Sequence, residues 1–266
     1  MQRSHGLTAF GYHPIEDEIV KTAGSTILIT GGGSGIGREL ALRFNQLGNS
    51  VIVAGRRKET LEETIAGRRD MHAMVVDIED PEAIAAFADR VVAEHPGLNV
   101  LFNNAGIMRR EDLSRTRDLR DAEQMVITNL LGPIRLTNAL TDHLVRQPDA
   151  AIVNVSSGLA FVPMSGTPTY SATKAAIHSY TISLREQLKG KVELIELAPP
   201  AVQTELTPGQ STREGYMPLD DFIEEVMMLF RERPTPKEIL VENVNFLRWA
   251  ERGGRFDQAV EILSKY

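Results

Sequence analysis

Tyr170 and Lys174 stand four residues apart, the spacing that sets two side chains on one face of a helix. A free phenol ionises near pH 10, too high for useful proton exchange at neutrality. An ammonium beside it stabilises the phenolate, and about 1.4 kcal/mol of such stabilisation moves the ionisation about one pH unit lower. A fall from about 10 to about 7 or 8 puts the phenol at a working pH. The pair could therefore act as a general acid–base centre. Ser157 lies thirteen residues before Tyr170, just past the strand-like stretch Ile152-Val153-Asn154-Val155. Plainer readings exist for each: Tyr and Lys at helical spacing often form a surface pair, and a serine at a strand end is commonly a turn.

A second stretch with chemical meaning is Thr30-Gly31-Gly32-Gly33-Ser34-Gly35-Ile36-Gly37, between the apolar run Thr26-Ile27-Leu28-Ile29 and an amphipathic stretch from Ile36 to Leu47. A tight strand-to-helix turn needs glycine, and so does close approach of backbone to a pyrophosphate, whose oxygens the helix N-terminus favours. Gly31, Gly33, Ser34, Gly35, Ile36 and Gly37 are candidate cofactor residues on that ground. No Gly-Lys-Ser/Thr ending follows, which disfavours an ATP or GTP loop. NAD-binding versions place an acid after the second strand to hold the ribose hydroxyls. Here that place reads Ala54-Gly55-Arg56-Arg57, with no carboxylate before Glu59. A guanidinium grips a 2′-phosphate bidentately and stacks on adenine, so Arg56 and Arg57 favour NADP(H), with NAD(H) as the alternative. Solubilising a loop is their plainer role.

Positioning these groups falls to short β-branched runs that alternate with helical stretches. Strands are expected at Thr26–Ile29, Val51–Ala54, Met74–Val76, Val100–Phe102, Ile152–Val155 and Val192–Ile195. Helices are expected over Lys58–Ala66 and Pro81–Glu94, the latter capped by Asp80, and over longer patterns from about Asp121 to Val145 and Tyr170 to Lys189. Continuous apolar strands separated by helices predict an α/β, Rossmann-type, doubly wound parallel sheet with helices on both faces, in a single domain. The least regular stretch, Thr204 to Pro218, suggests a lid within residues 204–231, and residues 1–24 form an N-terminal extension with a short helix or a leader at Pro14–Val20. The chain has 266 residues and a net charge of −7, which disfavours nucleic acid and anionic membrane as partners. It lacks cysteine, which excludes disulfides and thiolate metal sites, and no metal is expected. Without a signal-peptide core or a run long enough to span a bilayer, the expected location is the cytoplasm.

The motifs Thr30-Gly31…Gly35-Ile36-Gly37, Asn103-Asn104-Ala105-Gly106, Asn129, Ser157 and Tyr170-Ser171-Ala172-Thr173-Lys174 together resemble the short-chain dehydrogenase/reductase superfamily, in its compact single-domain branch. The match runs from about Thr26 to Leu206. Within it, Ala151 to Pro163 with Ala198-Pro199-Pro200 resembles the Dlt-type oxidoreductases, a subgroup that brings no secure substrate. The resemblance implies that Tyr170 protonates a carbonyl oxygen as hydride arrives, that Lys174 also bonds the nicotinamide ribose, that Ser157 donates to the same oxygen and that Asn129 holds a relay water. It further implies cofactor contacts at Asp77, Ile78, Asn104, Ala105, Gly106, Pro199, Val202 and Thr204. Pro200 stands where the family usually has glycine.

Residues expected around the nicotinamide are Met108, Leu159, Phe161, Val162, Met164, Pro200, Leu206, Tyr216 and Met217, a set that suits a lipophilic or aromatic ketone or aldehyde. Arg109 and Arg110 are the counter-feature, since either turned inward would suit a carboxylate or phosphate. The resemblance implies a homodimer or homotetramer. Rival readings are an NAD-dependent alcohol dehydrogenase, a non-catalytic dinucleotide sensor and a sugar-nucleotide epimerase, the last needing a longer chain.

Overall fold

The computed structural model describes residues 21–265. Chain order is β1 (Thr26–Thr30), α1 (Gly35–Gln46), β2 (Ser50–Gly55), α2 (Lys58–Ile65), β3 (Met71–Val75), α3 (Pro81–Glu94), β4 (Leu98–Asn103), α4 (Arg120–Val126), α5 (Gly132–Leu144), β5 (Ala151–Val155), α6 (Pro168–Gln187), β6 (Glu193–Leu197), α7 (Leu219–Leu229), β7 (Glu238–Ile239), α8 (Glu242–Arg248) and α9 (Phe256–Leu263). The seven strands form one sheet in the order β3-β2-β1-β4-β5-β6-β7, and every neighbouring pair is parallel. The expected single-domain, doubly wound α/β fold is the one observed.

Alternation along each strand builds two cores, one per face. Ile27 and Ile29 of β1 point into a cluster with Phe44, Phe102, Phe222 and Phe230, while Leu28 points into another with Phe87, Leu136 and Leu140. Phe102 and Phe230 approach Phe44 at ring-centroid distances of 5.3 and 5.7 Å, and burying each such ring is worth about 1.5–3 kcal/mol. Asp80 caps α3 as expected, accepting from the N–H groups of Glu82 and Ala83.

Four expectations need correction. β3 begins at Met71 rather than Met74; as an edge strand it alternates buried and exposed positions, so its apolar signal is diluted. β7 spans two residues, too short for any pattern. The stretch Asp121–Val145 is divided by a π-helical turn at Ile127–Leu131. Pro133 follows that turn and has no N–H to return to the Asn129 carbonyl, which breaks the α-helical ladder there. Finally, α7 belongs to the core, with Phe222, Ile223 and Val226 fully buried, so a lid can involve only residues 204–218. Pro14–Val20 lies outside the described residues. Among those described, no helix is long and apolar enough to cross a membrane.

Candidate active site

The carboxyl ends of β1, β2, β4, β5 and β6 open on one cleft of about 490 Å³, the place where parallel sheets bind ligands. Its floor is the glycine turn. Gly31 and Gly35 take φ of +68° and +52°, which glycine adopts without strain. A Cβ on Gly33 would lie 2.5 Å from the Thr60 hydroxyl, and one on Gly37 would lie 2.4 Å from Asn104 Nδ2 and 2.5 Å from the Gly31 carbonyl. Ser34 stands at the N-cap of α1 with no side-chain cap bond, so the turn presents backbone N–H groups to the cleft. This cradle fits a pyrophosphate.

Asn104 and Thr30 tie the turn to β4. The Thr30 hydroxyl donates to the Phe102 carbonyl at 3.2 Å and accepts from the N–H groups of Asn104 and Ala105 at 3.0 and 3.1 Å. Asn104 Nδ2 donates to the Thr30 carbonyl at 2.8 Å. Ala105 and Gly106 continue the wall.

At the far end, α6 brings Tyr170 and Lys174 to the wall, both buried. Lys174 Nζ donates to the Val155 carbonyl at 2.8 Å and lies 5.7 Å from the centre of the Tyr170 ring. The Ser157 hydroxyl accepts from the Leu159 N–H at 3.1 Å and shares the cleft wall with the Tyr170 phenol. Burial pushes the phenol up to about 12, with Ser157 pulling the other way. Burial also brings the Lys174 ammonium down to about 8, opposed by the charge of Glu196. Against the expected lowering of the phenol by its ammonium, burial sets the direction at Tyr170, and only Ser157 opposes it.

Asn129 is buried behind this pair. Its Oδ1 accepts from the Ile107 N–H and its Nδ2 donates to the Ile107 carbonyl, both at 2.8 Å, with Thr173 as a further partner at 3.3 Å. The side chain thus clamps the loop after β4.

The adenine end differs more from expectation. Arg56 and Arg57 are exposed on the wall, but Arg56 is gripped by Glu79 at 3.0 Å. Glu79 also accepts from Thr128 at 2.8 Å and Gln124 at 3.1 Å. Sequence reading missed Glu79 because it follows β3, not β2, and only the parallel pairing makes them neighbours. Ile78 lines the cleft; the Asp77 carboxylate instead accepts from the Glu79 N–H, and Asp77 is not on the wall. Beyond β6, Pro199, Pro200, Val202, Thr204 and Leu206 line the cleft. The Pro199 carbonyl accepts from the Gly158 N–H at 2.8 Å. Gln210, unflagged in the sequence, also reaches the wall and donates to the Val202 carbonyl at 2.8 Å.

Most of the expected substrate pocket is elsewhere. Met108, Leu159, Phe161, Val162, Met164, Tyr216 and Met217 are not among the cleft's walls, whereas Arg109 is. Phe161 packs under the Arg248 guanidinium at 4.8 Å and edge-on to His178 at 5.1 Å. Val162 joins Ala250 and Ala259 in a separate core cluster, Met164 is buried, and Tyr216 lies under Arg213 at 5.2 Å.

Comparison with known proteins agrees with this architecture. Residues 25–215 match the short chain dehydrogenase family. An uncharacterized oxidoreductase, DltE, of Bacillus subtilis is 40% identical over 249 residues, 92% of this chain and 98% of that protein. Sulfoacetaldehyde reductase 2 of Chromohalobacter salexigens is 34% identical over 68% of this chain and 74% of its own. Among solved structures, a short-chain dehydrogenase from Sphingobium yanoikuyae in complex with NADPH superposes with a TM-score of 0.75 at 26% identity, covering 89% of this chain and 95% of that one. With a family match over residues 25–215 and a relative 40% identical over 92% of the chain, the chain belongs to the short-chain dehydrogenase/reductase family and is an oxidoreductase of the NAD(P)-dependent kind.

Proposed function

We propose that this protein moves a hydride between NADP(H) and a carbonyl or secondary alcohol, with Tyr170 as proton donor to the carbonyl oxygen. The carrying observation is the buried Tyr170 on the cleft wall, with Ser157 on the same wall and Lys174 behind it. A phenol pushed up to about 12 keeps its proton at neutrality and has it to give. The Lys174 ammonium, at about 8, is mostly charged at pH 7 and stabilises the phenolate left behind. The Ser157 hydroxyl, on the same wall and fixed by the Leu159 N–H, is the second donor to the carbonyl oxygen in this reading. Asn129 holds the Ile107 loop, and its main-chain carbonyl, which Pro133 cannot pair in α-helical fashion, is the acceptor for a relay water. The bound nicotinamide supplies or accepts the hydride. The homo-oligomer implied by the family belongs to this reading, with exposed Val126 and Ile182 giving apolar surface on α4 and α6.

NADP(H) is favoured by Arg56 and Arg57 on the wall, and the NADPH complex of the Sphingobium relative supports the same cofactor. Arg56→Asp should shift the NADPH-to-NADH preference at least tenfold towards NADH, read from the two dissociation constants. Glu79→Gln should tighten NADPH by a few fold, because the carboxylate on Arg56 competes with a 2′-phosphate for the same guanidinium. An unchanged ratio in the Arg56 variant would leave NAD(H) as the cofactor.

The substrate reading follows Arg109, which stands on the wall where, of the expected apolar side chains, only Pro200 and Leu206 are present. We infer a small carbonyl compound with an anionic group, in keeping with the sulfonated aldehyde named for the 34% identical relative. NADPH oxidation would be followed with sulfoacetaldehyde, glyoxylate, phenylglyoxal, 2,3-butanedione and acetophenone. A charge-assisted hydrogen bond is worth about 1.5–3 kcal/mol, so Arg109→Ala should raise KM for the anions about 10- to 100-fold and leave the neutral compounds within twofold. A wild-type preference for acetophenone would restore the lipophilic pocket and remove this reading.

A further inference from the structure

Behind the catalytic pair is a charged cluster that the hydride-transfer reading leaves unused. Glu196 on β6 is fully buried, in a strand whose neighbours Leu194, Ile195 and Leu197 are all core residues. Apolar packing alone gives no reason for a carboxylate here, and a buried charge needs partners. It has them. One oxygen accepts from the Ser156 hydroxyl in a short hydrogen bond, and the other is bonded to His178 Nδ1 at 2.6 Å.

Two independent features aim this carboxylate at the active site. Tyr170, Lys174 and His178 follow one another at four-residue intervals along one face of α6. In the β5–β6 ladder Asn154 pairs with Glu196 and Val155 with Leu197, so Glu196 lies one ladder step from the carbonyl that Lys174 grips. We propose that Glu196 is the internal counter-charge of the Lys174 ammonium, with His178 sharing that charge and Ser156 fixing its orientation. This rests on the reading of Tyr170 and Lys174 as the catalytic pair, and makes Glu196 a positioning residue that acts through Lys174.

The surrounding charges make the sharing unequal. His178 is faced by Glu196 from β6, Glu238 from β7 and Arg248 from α8, with the Phe161 ring edge-on. His178, Glu196 and Glu238 bring ligand atoms within 4.8 Å of one another. Arg248 already holds both oxygens of Glu238, at 2.6 and 3.0 Å, so that carboxylate is neutralised by a protein cation. What remains is one carboxylate, Glu196, between two titrating cations. The hydrogen bond that His178 donates to Glu196 raises the imidazole above its ordinary value. While His178 is protonated it offsets the charge that Lys174 feels. Once His178 is neutral, the whole carboxylate charge supports the ammonium. Lys174 would then stay charged to higher pH than its burial alone permits.

The test is the pH dependence of kcat with NADPH and the best carbonyl of the panel above. Removing the negative charge makes the ammonium easier to deprotonate, so Glu196→Gln should move the alkaline limb at least half a pH unit lower. NADPH affinity at pH 6.5, measured separately, should stay within threefold. Glu196→Asp, which keeps the charge, should restore most of the limb, as a merely structural role would not require. His178→Lys places a permanent cation on the same carboxylate from a partly exposed helix position, and should shift the limb in the same direction as Glu196→Gln. If Glu196→Gln does not fold, His178→Lys alone decides. Limbs unmoved from wild type in the variants that fold overturn the proposal. That failure differs from failure of the underlying reading, in which Tyr170→Phe would keep full turnover.

Discussion

Tyr170→Phe should lower kcat/KM for carbonyl reduction by at least a thousandfold while NADPH still binds with nearly wild-type affinity. A positioned general acid contributes about 10²–10⁴ in rate. In this site the phenol is enclosed beside Ser157, so removing its hydroxyl takes away the proton donor of the proposed mechanism. The substitution removes one oxygen from a buried ring and leaves the packing intact, so the fold should survive. Phenylalanine also leaves Lys174 bonded to the Val155 carbonyl, which preserves that side of the cleft. Single-turnover kinetics separate chemistry from binding. Turnover within tenfold of wild type would show that the proton comes from elsewhere, and a parallel loss of NADPH binding would make Tyr170 structural.

Gly37→Ala should abolish measurable cofactor binding, with at least a hundredfold weaker NADPH affinity. The added methyl would sit 2.4 Å from Asn104 Nδ2 and 2.5 Å from the Gly31 carbonyl. Asn104 can rotate away only by giving up its bond to the Thr30 carbonyl. The Gly31 carbonyl can retreat only by moving the turn itself, so the strain falls on the backbone meant to meet the pyrophosphate. Overpacking of this kind costs about 1–3 kcal/mol, and thermal unfolding should register it alongside the binding loss. Gly48→Ala is the control, because nothing lies within 4 Å of a Cβ there. Its positive φ confines the damage to a modest loss of stability remote from the cleft. Tight NADPH binding by Gly37→Ala would mean that the turn is not the cofactor's seat.

The sheet was readable from sequence because central strands buried on both faces, such as Ile27–Ile29 and Val51–Ala54, are apolar without interruption. That signal fades at the edges, where β3 exposes His72 and Val75 and β7 has only two residues. Helical periodicity from Asp121 to Val145 spoke for one helix, and only the missing N–H of Pro133 hinted at the π-helical turn around Asn129. The residues proposed as catalytic were legible through their spacing. Their surroundings were not, because those depend on contacts between distant segments. Leu159 and Phe161 follow Ser157 closely, but the turn at Gly158–Ala160 packs against α8, with a Cβ on Gly158 only 2.8 Å from Leu247. The chain is thereby led away from the cleft. Glu79 meets Arg56 across 23 residues, and Glu196 meets His178 across 18; no local pattern announces either pair.

The side-chain lock between Thr30 and Asn104 has a consequence for the order in which the molecule can be made. The partners are 74 residues apart in the chain. During synthesis β1, α1 and β2 can emerge and begin to pair, but the nucleotide turn has no clamp until the end of β4 has arrived beside it. A chain halted before Asn104 would hold the complete glycine sequence and still lack the group that holds Thr30 and Gly31 in register. Competence to bind dinucleotide should therefore appear late and in one step as the chain is lengthened from its N-terminus.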